Sequence, residues 1–147
     1  MISLWSLLTV FHLVGLALGI GSATVKVVLL LRSIRDVTLL PVYLRVVRPI
    51  THLLILGLIL MTLSGIGWML LGYGFQPRLV VKLVLVGVIW IMGPIIDNVV
   101  EPRFRKLAVP EEGSFSQAFF SVRTQYMVLE VTATALFYIV LVLGILL

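Results

Sequence analysis

Seven ionisable residues lie in or at the edges of long apolar runs, and their types and spacing decide what chemistry the chain could do. They are His12, Lys26, His52, Lys82, Asp97, Arg123 and Glu130. A histidine in an apolar helix is a candidate metal or haem-iron ligand, or a hydrogen-bonding packing residue. A lysine near a helix end can meet the carboxylate of a ligand, or it can stretch its ammonium to the nearest interface. A carboxylate at mid-depth is expensive in lipid, so Glu130 must face inward, for packing or for proton movement, with Arg123 two turns away on the same face as a candidate partner.

Residues 4–31 organise the rest. His12, Gly15, Gly19, Ser22 and Lys26 recur every three or four positions, so a helix carries them as one stripe, and the remaining surface is Leu, Val, Ile and Phe. Such a stripe packs inward, where small residues allow close helix approach. At the far end of this span Lys26 is expected to reach out to the interface.

Composition sets the class. The chain is 61% hydrophobic and 12% charged, and its mean hydropathy of +1.23 lies well outside the soluble range. The expectation is an all-α integral membrane protein, a single domain folded as a four-helix bundle with spans at about 4–31, 50–73, 79–100 and 118–147. Strands are excluded because the runs lack period-two alternation and exceed barrel-strand length. The 32–48 segment reads as a basic connection broken by Pro41, with Pro49 suited to the first turn of the second span. Residues 72–77 read as a tight turn, and 101–117 as the longest polar connection.

With no cysteine, thioether-attached haem, iron–sulfur clusters and thiolate metal sites are excluded. The net charge of +5 reflects topology rather than nucleic-acid binding. Of eleven Lys and Arg, only Arg78 and Lys82 lie toward the even-numbered connection and the termini; Lys26, Arg32, Arg35, Arg45, Arg48, Arg103, Arg105, Lys106 and Arg123 lie toward the odd-numbered connections. The positive-inside rule then places both termini outside the cytoplasmic (inner) membrane.

Depth separates the candidates. At about 1.5 Å per residue, His12 and Lys82 share the outer half, whereas His52 and Asp97 lie near the inner surface with Arg123, where an ion-pair cluster is expected. Glu130 sits near mid-membrane, with Tyr126 and Thr134 beside it. The two histidines are about 15–20 Å apart in depth, too far to share one iron at ~2 Å metal–nitrogen distances. A haem would therefore take His12 alone, or His12 with some other ligand. The scattered methionines are a weak signal for copper handling.

The run from His12 through Gly15, Gly19 and Gly21 to Ser22, followed after a tight turn by Arg78-Leu-Val-Val-Lys82-Leu, resembles a superfamily of small membrane proteins. It comprises the CopD-type copper-resistance domains and the HemJ-type protoporphyrinogen oxidases, and the likeness covers the first three spans. The chain departs from the pattern at Gly19, where the family has Trp, and at 22–25, where Ser-Ala-Thr-Val replaces a Leu-Pro-Arg run. The resemblance implies a haem-binding, redox-active bundle in which His12 and Lys82 are essential; their shared depth makes His12 the candidate iron ligand of a haem b and Lys82 the candidate partner of a propionate. The CopD-type branch implies a copper-transport component instead. A third expectation is a non-enzymatic accessory subunit of a larger membrane complex, partnered by lipid and by other membrane proteins or copies of itself. Whether the chain is an enzyme stays open among these three.

Overall fold

The structure is a computed structural model that describes residues 3–72, 74, 76–110 and 113–146. Tyr73 and Phe75 of the expected turn, Glu111 and Glu112 of the long connection, and Leu147 at the end of the fourth span lie outside the described residues. The described chain is helical apart from its connections, in the order α1 (Leu4–Arg35), a 3₁₀ turn (Val37–Leu39), α2 (Leu40–Leu70), α3 (Pro77–Ile95), a π turn (Ile96–Val100), α4 (Glu101–Leu107) and α5 (Gln117–Ile145). Four helices are long and apolar enough to cross a membrane, the third running through α3, the π turn and α4. Leu, Val and Ile cover their outward faces, which suits lipid, where a helix satisfies its own backbone and needs no polar surface.

Local chemistry sets the helix ends. Ser3 caps α1 by accepting from the Ser6 amide, and Arg32 and Arg35 in the last turn oppose the negative end of the helix dipole. Asp36 ends α1 and caps the 3₁₀ turn by accepting from the Thr38 amide at 3.0 Å. Ser116 caps α5 in the same way. Pro77 opens α3, where its missing amide is free of cost.

Two expected boundaries are corrected. Residues 40–48 are helix rather than connection, because Pro41, not Pro49, occupies the first turn of α2, and Pro49 lies inside it. The long connection shrinks to about 108–116, because the third span continues as α4 through Leu107. Pro94 and Pro102 flank the π turn, and each removes one amide from the ladder. The chain spends one extra residue there, the Glu101 amide reaching back to the Ile96 carbonyl.

The helices pack in the spatial order α2, α1, α5, α3, with α1 on α2 the most extensive contact. α2 and α3 close the ring and barely meet. The α1–α2 crossing is close because glycine faces glycine: a Cβ at Gly15 would lie 2.8 Å from the Gly57 carbonyl oxygen, and one at Gly57 would fall on the backbone of Gly19. Buried Leu30, Tyr43, Val47, Phe104, Phe119 and Tyr126 form the larger core cluster at the end of the α1–α2 and α4–α5 connections, hereafter the basic end. A smaller cluster of Ala23, Leu58, Ile89 and Phe137 lies nearer the end that holds the termini, hereafter the terminal end.

Candidate functional site

Two groups of polar side chains occupy different levels of the bundle. The first lies toward the terminal end. His12 of α1 is half-buried, its ring tilted against Trp68 of α2 at 4.8 Å between centroids. Its Nδ1 is 2.8 Å from the Ser64 hydroxyl. Ser64 Oγ also lies within donating distance of two carbonyls back along α2, that of Leu60 at 2.7 Å and that of Met61 at 3.0 Å. With that proton on one of the two carbonyls, Ser64 Oγ accepts from His12, an arrangement that puts the imidazole proton on Nδ1 and the lone pair on Nε2.

Lys82 of α3 is near enough to act electrostatically on that imidazole. Its Nζ lies beside Gly144, 3.6 Å from where a Cβ would stand, and it has no ion-pair partner among the described residues. A neutral imidazole oriented through Nδ1 is the donor a haem iron takes, and an unpaired ammonium suits an acidic ligand edge. With the proton on Nδ1, the donor set fits one axial histidine. Among the described residues no three His, Asp or Glu side chains gather as a metal cluster.

The second group lies deeper toward the basic end. Lys26 does not reach an interface. It is buried, with Nζ 2.7 Å from Glu130 Oε1 and 3.0 Å from Asp97 Oδ1, and it stands 6.0 Å from the Tyr126 ring centroid. The stripe that carries His12 faces inward along its whole length, so the lysine meets carboxylates from α5 and the π turn before it meets water. The expected cluster is thereby rearranged. Asp97 pairs with Lys26 instead of Arg123, and Arg123 lies over the rings of Phe119 and Phe120. The Tyr126 hydroxyl bonds that of Tyr43 at 2.8 Å. His52 is exposed on α2 and joins no ion pair; it lines a cavity of about 430 Å³ between α2 and α3, together with Arg48, Thr51, Asn98 and the Lys26 group. His12 and His52 stay at separate levels, forty residues apart on neighbouring helices.

Lys26 and Gly57 are the residues that sequence reasoning misplaced or missed. For Lys26 the signal was the stripe itself, which includes it one turn after Ser22. For Gly57 it was a lone glycine in a Leu/Ile run, a position that often marks close packing.

No known family, curated protein or solved structure matches the chain. Fold and site together define a four-helix bundle suited to a membrane, with a fixed imidazole at one level and a buried ion triad at another.

Proposed function

We propose that the chain is a multi-pass protein of the cytoplasmic membrane, with both termini outside, that holds a haem or porphyrin in the half of the bundle next to its termini. The reading rests on the His12–Ser64 hydrogen bond, which, with the imidazole protonated on Nδ1, leaves Nε2 to ligate. His12 is the iron ligand. Lys82, the unpaired cation nearest to it, meets a propionate. Ser64 orients the ring and fixes its tautomer, as outer partners of ligating histidines do. Trp68 packs against the ring and limits its rotation. Bound there, a haem would supply one-electron chemistry, and the redox activity follows from the resemblance to the HemJ-type oxidases. The visible spectrum of mildly purified protein tests it: a Soret band that shifts on adding dithionite is expected, and a flat spectrum in cells replete with haem contradicts it.

The accessory-subunit reading is favoured by a different observation. Lys26, Asp97 and Glu130 tie three elements together without any ligand, which is what a purely structural polar clasp requires. The copper-transport alternative draws no support from the arrangement of donors.

A further inference from the structure

The cavity between α2 and α3 is graded along its length. Its basic end is lined by Arg48, His52 and Asn98, and deeper in by Leu58, Ile89 and Trp90. From Arg48 to Leu58 the α2 wall climbs about 15 Å at 1.5 Å per residue. Its volume of about 430 Å³ is that of a small-ligand pocket. The opening exists because α2 and α3 barely meet; the Trp90 indole, donating to Thr62 Oγ1 at 3.1 Å, bridges them toward the terminal end.

Two observations point to an occupant. Arg48 and His52 have no hydrogen-bond or ion-pair partner among the described residues, so a guanidinium and an imidazole stand uncommitted at one end. Beside them Thr51, only 6% exposed, has a buried hydroxyl with no partner, and it lines the same cavity. A buried hydroxyl left unpaired is unfavourable, and a ligand acceptor atom would relieve it.

We propose that this cleft is a lateral binding site for one anionic phospholipid, its phosphate on Arg48 and His52 and an acyl chain along Leu58, Ile89 and Trp90. Charge complementarity sets the polarity of binding. The back wall holds Asp97 and Glu130 against the single ammonium of Lys26, so it disfavours a phosphate at that depth. Glu101, the lining carboxylate nearer the basic end, is paired with Arg105, and the headgroup therefore stays at the basic end. The site rests on the membrane reading of the four helices and is independent of the haem.

Native mass spectrometry of the full chain released from phosphatidylcholine nanodiscs doped with phosphatidylglycerol tests it. One retained phosphatidylglycerol per chain is expected. Arg48→Ala should lower the preference for it roughly tenfold, the scale of one charge-assisted contact, while Arg45→Ala, exposed at the same end but not lining the cleft, should leave it unchanged. Gly93 lines the cleft and has nothing within 4 Å of a built Cβ, so Gly93→Leu should fill the space and release the lipid from a bundle that still elutes as wild type. Equal retention of the two lipids by wild type overturns the proposal, as does a preference that survives Arg48→Ala or falls equally with Arg45→Ala. A chain that enters neither lipid overturns the membrane reading and this site with it.

Discussion

Lys26 Nζ and Glu130 Oε1 stand 2.7 Å apart, joining α1 to α5 across the interior of the bundle, and Asp97 brings the end of α3 to the same ammonium. Removing one partner from a buried pair strands the other charge, at a cost of about 3–5 kcal/mol. Lys26→Met strands two carboxylates and should lower unfolding stability in detergent by that order. Glu130→Gln, which keeps a polar contact to Lys26, should cost less than Glu130→Leu. Wild-type stability in Lys26→Met would show that the clasp contributes nothing.

The α1–α2 crossing gives a second test. A Cβ at Gly57 meets the Gly19 backbone, which cannot move aside as a flexible side chain could. Gly57→Ala should therefore force the helices apart and destabilise by about 1–3 kcal/mol, the range for overpacking. Gly87, whose built Cβ meets nothing within 4 Å, is the control. Gly87→Ala should be neutral or mildly stabilising, because alanine is the better helix former. Thermal melts of the two variants side by side make the comparison.

How much of this was legible in the sequence follows from which interactions are local. Four long apolar helices follow from the hydropathy of the runs, and the inward stripe of α1 from spacing alone. The fate of Pro49 was not legible, since two prolines eight residues apart each offered a helix start and only Pro41 became one. The partner of Asp97 was hidden because depth alone grouped it with Arg123, and depth does not say which helices face each other. Lys26 was misplaced by treating it as a residue at a helix end, although α1 runs nine residues further, to Arg35. A glycine in an apolar run does not by itself mark close packing: Gly15 and Gly19 face Gly57 or Met61 and Gly67 faces Leu8, whereas Gly65, Gly87 and Gly93 meet nothing. Only the tertiary arrangement separates them.

The orientation inferred from the basic connections is checked with single cysteines, since the chain has none of its own. Gln76→Cys, in the connection at the terminal end, should react with an impermeant maleimide in intact spheroplasts. Val109→Cys, exposed in the connection at the basic end, should react only after permeabilisation. The reverse pattern would invert the bundle and place the His12 level toward the cytoplasm.

Around the proposed haem, the supporting residues should act in graded fashion. Lys82→Ala removes an edge contact and should weaken haem binding roughly ten- to hundredfold with the spectral shape kept. Lys82→Arg keeps the charge and should retain most of the affinity, a carboxylate accepting a guanidinium well. Ser64→Ala frees the ring and should cost about ten- to hundredfold, the usual range for an outer partner of a ligating histidine. Haem titration of the apoprotein, followed at the Soret band, ranks the three. No loss in either alanine variant would detach these residues from the site.

The central claim is that His12, and not His52, is the residue on the iron. Its direct test is the dithionite-reduced minus oxidised spectrum of wild type, His12→Ala and His52→Ala, at equal protein and after equal haem supply. The expected result is a haem signal in wild type, its collapse in His12→Ala and its retention in His52→Ala, which stands at the basic end on the cleft between α2 and α3. Full haem retention in His12→Ala, or loss in His52→Ala alone, contradicts the account.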